Sequence, residues 1–489
     1  MVEDYLLILA ADIIPYIVKS MDSRIKLSPT LLSLICDYEH CIEQGKSLYL
    51  DDKEFHHIIS YYEDELELDR ALHTTEYAIK QYAYRSDFRS LKIRILIKKG
   101  LFDSAMESIE SAELISPYEI ELQLLKVNVY ILQKKYDEAI ILIEDIKKYC
   151  TKTELQDVHV AEAFFYESIL EYDQMFQCLK KALIINPNHE EALLLMNESV
   201  DHSKHYEESI LLHKIIIDNH PYNHLGWYNL GSAYGCVGEY TKAIDALEYS
   251  FIINPRFEAG YHDCAEYLVE LKKYGRALEI YKDALEIFGP EFDILMNMAN
   301  CQFELKQIDQ AKRSLFKALE IDTYGDEALF LLAKCYMVNK DYNSAVKVLK
   351  KAISIENGLE EYFHALGQAY NMLDKHDKAD YYYNRAAENG LEISTYWEDY
   401  ICFLIEREKF SQAKRIIKRA DKFTFSYRLQ YLDAACHILL GSKQQGYNML
   451  EEALIESYED HVILNELSTQ ITQDSKVASM ISYFEKENN

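Results

Sequence analysis

An alanine returns every 34 residues along the second half of the chain, at Ala243, Ala277, Ala311, Ala345, Ala379 and Ala413. Seven residues after each stands another small residue: Ser250, Ala284, Ala318, Ala352, Ala386 and Ala420. Sixteen residues before each stands a bulky one: Trp227, Tyr261, Leu295, Leu329, Phe363 and Trp397. Within each unit the apolar positions recur at three- and four-residue steps, the period of a helix face and not of a strand. A unit of this length holds two helices joined by a short turn, near VGEY (Val237 to Tyr240) or NKDY (Asn339 to Tyr342). Such a unit buries its apolar faces only by stacking on its neighbours.

The alternation of small and large has a steric cause. Where two helix axes cross closely, a side chain larger than alanine pushes them apart, and large neighbours fill the grooves around the contact. A further small column, Gly231, Ala265, Ala299, Ala333 and Gly367, fits the same rule. Pro187, Pro221 and Pro255, again 34 apart, lack the N–H that continues a helix. They are expected to stop the second helix of their units and to open the next.

The stretch from Trp227 to Pro255 resembles the tetratricopeptide repeat, whose pattern W-x2-L-G-x2-Y, then A-x3-F, then P is met by Trp227, Leu230, Gly231, Tyr234, Ala243, Leu247 in place of Phe, and Pro255. Counting back from Ala243, the alanine site is held by Ser209, Met175, Ala139, Ala105 and Ala71, with two extra residues falling within Ile146 to Asp157. A last unit, with Gly446 and Ala453 as its small pair, lies one residue short of register. Ile401 replaces the usual small residue, and the units around Met175, Ser209 and Gly446 depart from the pattern. The resemblance implies an all-α fold, a right-handed α-solenoid of about twelve helix-turn-helix units of a long bacterial type. It places an N-terminal helical cap at residues 1–51, the solenoid at 52–460 and a C-terminal cap at 461–489.

Charge narrows the partners. With 82 acidic against 52 basic side chains the net charge is −30, which disfavours nucleic acid and anionic membranes. Ten scattered cysteines without a CxxC pair indicate reduced thiols and a cytoplasmic location. The apolar run Tyr5 to Val18 follows Glu3 and Asp4 and is broken by Asp12 and Pro15, so it reads as packed cap and not as signal peptide or membrane span.

No fragment specifies chemistry. Gly45, Lys46 and Ser47 resemble the end of a phosphate loop, but His40 stands where that loop needs glycine. His202 and His205 are three apart without a third metal ligand beside them, and Cys264, Cys301 and Cys335 fall on core columns. We therefore expect no enzyme, no cofactor and no metal, and a scaffold that binds a protein or peptide segment.

In the resembled family the first helix of each unit lines a concave face that receives partner segments. Projected onto this chain, that face comprises Tyr228, Asn229 and Ser232 in one unit and His262, Asp263 and Glu266 in the next. Beyond these it takes Asp293, Met296, Asn297 and Asn300, then Glu327, Phe330 and Lys334, then Glu361, His364 and Gln368. Asn229, Asp263 and Asn297 stand in one column and could hydrogen-bond an extended peptide backbone. The acidic and aromatic mixture suits a basic or amphipathic segment. The alternative expectation is a structural, self-associating array without a peptide ligand.

Overall fold

The computed structural model describes residues 29–44, 48–467, 471 and 473–488. Most of the expected N-terminal cap, and the Gly45–Lys46–Ser47 tripeptide, lie outside the described residues. All elements among the described residues are helices, and none is long and apolar enough to cross a membrane.

The chain divides into two compact units, Met1–Phe288 and Gly289–Asn489. In the first, α1 (Pro29–Glu43) precedes seven hairpins. They are α2 (Asp52–Asp64) with α3 (Leu68–Gln81), α4 (Asp87–Lys98) with α5 (Phe102–Glu113), and α6 (Ile120–Leu132) with α7 (Tyr136–Ile146). Next come α8 (Leu155–Ser168) with α9 (Tyr172–Ile185), α10 (Glu190–Ser203) with α11 (Tyr206–Asn219), α12 (His224–Cys236) with α13 (Tyr240–Ile253), and α14 (Glu258–Glu270) with α15 (Tyr274–Phe288). The second unit holds five hairpins: α16 (Phe292–Glu304) with α17 (Ile308–Ile321), α18 (Asp326–Val338) with α19 (Tyr342–Ile355), α20 (Glu360–Met372) with α21 (His376–Asn389), α22 (Ser394–Glu406) with α23 (Phe410–Ala420), and α24 (Tyr427–Leu439) with α25 (Lys443–Glu456). A short 3-10 turn (Tyr458–Val462), α26 (Ile463–Glu466) and α27 (Ser475–Asn488) follow. Within each unit consecutive helices pack on one another, the layering of an α-solenoid.

The small columns are the crossings. Ala243, Ala277, Ala311, Ala345, Ala379 and Ala413 are fully buried. At Gly231 an added Cβ would lie 2.6 Å from the Leu247 side chain, so α12 and α13 touch nearly backbone to backbone. Around the contact the bulky column is anchored by polar tips: Trp227 Nε1 donates to the Pro221 carbonyl at 2.8 Å, and Trp397 Nε1 to the Leu391 carbonyl at 3.0 Å. Where Ile401 is buried at the small position, α22 and α23 pack less closely than α20 and α21.

Each hairpin turns on one left-handed residue: Leu66, Gly100, Lys134, Leu170, Lys204, Gly238, Lys272, Lys306, Lys340, Asp374, Glu408 and Gly441. In most of them the next N–H reaches back five residues, as Lys273 N to the Leu268 carbonyl at 2.8 Å, and satisfies the carbonyls left over at the helix end. These twelve marks reproduce the alanine register, including its two extra residues, which the connection between Ile146 and Leu155 absorbs. Only three of the twelve are glycine. A side chain at positive φ is strained by roughly 1–2 kcal/mol, and glycine in turn loses ~0.5–1 kcal/mol of chain entropy. Lys272→Gly is therefore expected to raise the unfolding midpoint slightly and Gly238→Ala to lower it by about 1 kcal/mol. Thermal melts in which both variants match the parent would contradict this.

Pro187, Pro221 and Pro255 do end α9, α11 and α13, but the following helix starts three residues later in each case, so they do not open it. The hairpin of α10 and α11 is the irregular one. Asn197 occupies the crossing position, the two helices pack sparsely, and Lys204 N bonds only back to the Val200 carbonyl, at 2.8 Å. At the chain end Ile463, Leu464, Leu467, Ile471 and Val477 join the core of α24 and α25, while Asp474 accepts from the Tyr447 hydroxyl at 2.9 Å and Lys443 Nζ at 3.1 Å.

Candidate partner-binding face

In the first unit the first helices α10, α12 and α14 bring acids and aromatics together. Tyr228 on α12 packs edge-on against Phe257 with ring centroids 4.9 Å apart, close to the Asp263 carboxylate on α14. Burial, and then that carboxylate, hold the phenol well above its ordinary range. His262 Nδ1 lies 3.5 Å from Asp263 Oδ1, and Glu266 completes the group one turn on. Asn229 is committed to the fold: it is buried, its amide donates to the Leu193 carbonyl at 2.8 Å, and its Oδ1 has no partner. Ser232 is buried as well.

Sequence reasoning missed the next turn of the same face. Cys236 Sγ donates to Asp201 Oδ1 at 3.5 Å, and burial followed by the Asp201 charge pushes the thiol up to about 11. Tyr267 lies over Gly235, where an added Cβ would meet its hydroxyl, and stacks on Tyr240 at 5.4 Å. Its phenol is raised by burial and then by Asp263. Deeper in the unit, burial and the Glu198 charge raise the Glu167 carboxyl to about 7. Burial raises Glu191 and Glu198 too. Extending the projected positions by four residues, from Ser232 to Cys236 and from Asp263 to Tyr267, would have found two of these groups, whereas the projection took no position on α10.

In the second unit the projected residues form two groups. Lys334 Nζ sits 5.2 Å from the Phe303 ring centroid and 5.5 Å from that of Phe330, a cation held between two aromatic faces. Phe330 also packs on Tyr362 at 4.7 Å, whose hydroxyl donates to Asp326 at 2.8 Å. Burial raises the neighbouring Glu361 carboxyl, and Lys334 partly offsets that. In the other group His364 Nε2 is 2.8 Å from Asp399 and 3.5 Å from Gln368 Nε2. Asp293 and Glu327 are exposed, and Met296, Asn297 and Asn300 are half-buried.

Stacked helix pairs with small-residue crossings and one left-handed turn each define a helical-repeat protein of the solenoid class. Family models described as tetratricopeptide repeat match residues 268–323 and 326–358, and the chain is a tetratricopeptide-repeat protein. Among solved structures, YrrB, described as a TPR protein with an unusual peptide-binding site, is 17% identical over 36% of this chain and 91% of its own, with TM-score 0.32. The APC/C hetero-tetramer Cut9–Hcn1 is 14% identical over 86% and 92%, with TM-score 0.38. A tetratricopeptide repeat protein from Parabacteroides merdae is 14% identical over 50% and 97%, also with TM-score 0.38. Comparison with curated proteins gives no match.

Proposed function

We propose that this protein is a non-enzymatic, cytoplasmic interaction scaffold that holds a basic or amphipathic segment of a partner protein on the concave, first-helix face of its repeats. The observation that carries the reading is the crowding of Glu167, Glu198, Asp201, Asp263 and Glu266 along the first helices of one unit, beside Tyr228 and Tyr267. Glu167, Glu198 and Asp263 are partly buried and Asp201 and Glu266 exposed; carboxylates crowded by other acids gain from a cationic partner, and aromatic rings supply apolar anchors. Ten free cysteines accord with a reducing compartment.

The test is fluorescence anisotropy with an array of lysine- and arginine-containing peptides. The triple variant Asp201→Asn, Asp263→Asn, Glu266→Gln is expected to weaken capture by tenfold or more, on the order of 1.4 kcal/mol, and to reduce its salt dependence. Binding should also weaken as pH falls through about 7, where Glu167 takes up a proton. Equal affinity for parent and triple variant would remove this face from the account. Concentration-dependent assembly in sedimentation, with no peptide captured, would favour the self-associating array.

A further inference from the structure

One turn of α14 carries three different metal-ligating side chains. His262, Asp263 and Glu266 each offer one donor atom, and these atoms lie within 4.8 Å of one another. His262 and Glu266 are four residues apart and share a helix face, with Asp263 three residues before Glu266 on the adjoining row. The donors belong to one rigid helical turn, so bringing them to the spacing a single ion requires takes side-chain rotation and no backbone movement.

The surroundings fit a cation. The Tyr228 phenol lies close enough to Asp263 for the carboxylate to raise its pKa, which places it where an outer partner of a ligating carboxylate would stand. Asp263, Asp201 and Glu266 are the carboxylates that, after burial, raise the adjacent Tyr267 phenol, so the local field is negative. His262 is half-exposed, which leaves the cluster open to solvent.

We propose that His262, Asp263 and Glu266 bind one divalent first-row transition ion, with the imidazole nitrogen and two carboxylate oxygens as ligands and water in the remaining positions. The imidazole selects against magnesium and calcium, which take oxygen ligands. The site does not depend on a peptide occupying the same face.

The experiment is titration of cobalt(II) into the full reduced chain, followed by visible absorption and calorimetry, with no peptide present. One equivalent is expected to bind without a thiolate-to-metal charge-transfer band, and excess magnesium is expected not to displace it. His262→Ala and Glu266→Gln should each weaken binding at least tenfold, and Tyr228→Phe less. His202→Ala and Cys236→Ser should leave it unchanged, and circular dichroism checks that every variant is folded. A thiolate band, equal affinity in His262→Ala and Glu266→Gln, or no retained cobalt would each overturn the site. Peptide capture is measured separately, so either idea can fail alone.

Discussion

His213→Leu is expected to stabilise the first unit and to flatten its response to acid. His213 lies four residues after Ser209, at the place held elsewhere by Leu247, Leu315 and Leu349, all fully buried. Its Nδ1–H donates to the Ser209 carbonyl at 2.8 Å, while Nε2 is buried without a partner. Burial lowers its pKa from 6.5 to about 4. The folded state therefore keeps the ring neutral while the unfolded chain takes up a proton below pH 6.5. Stability falls as pH drops from 6.5 and, at ~1.4 kcal/mol per unit, about 3 kcal/mol is lost by pH 4. Leucine removes both that loss and the orphaned nitrogen, so a gain of about 1–2 kcal/mol is expected already at neutral pH. Urea unfolding at neutral and acid pH, with hydrogen exchange in α11, measures it. Parallel pH curves for parent and variant would contradict the burial argument.

Lys147→Met should have the opposite sign and a comparable size. Lys147 Nζ lies 2.7 Å from Glu162, which His159 Nδ1 also approaches at 3.1 Å. Burial alone would raise the Glu162 carboxyl, but the bonds to His159 and Lys147 outweigh it and hold the pKa at about 2. A depressed carboxylate stabilises the fold above the unfolded value of 4.5, and that contribution disappears as pH falls from there through about 2. Removing the lysine leaves a buried charge short of its partner and is expected to cost about 3 kcal/mol at neutral pH, with less acid sensitivity remaining. Changing Lys147 and Glu162 together to Met and Leu should recover much of the loss. If the single variant unfolds at the parent midpoint, the pair contributes nothing net.

Both residues show where sequence reading stops. The alanine and glycine columns were legible because a helix crossing tolerates nothing larger, which imposes a spacing that survives in the letters. His213 and Glu162 carry no such mark, since their burial depends on the neighbouring hairpin. The left-handed turn residues were equally hidden. Lysine occupies five of the twelve positions and does not announce a positive φ as glycine does, so the backbone is forced there by the packing on either side. Of the projected face, Tyr228, His262, Asp263 and Glu266 do assemble, whereas Asn229 is spent on Leu193. A helix projection orders residues around an axis but cannot tell which side chains the adjacent repeat has already engaged.

The two extra residues between Lys134 and Leu170 have a consequence for how such a chain tolerates change. They are taken up in the segment from Ile146 to Leu155, and the spacing resumes undisturbed at Lys204. Length errors between hairpins are thus quarantined where they arise. The same two residues placed inside α12 would rotate Gly231 away from Leu247 and spoil a contact that no surface segment can repair. Such a molecule can gain or lose material at its seams and almost nowhere else.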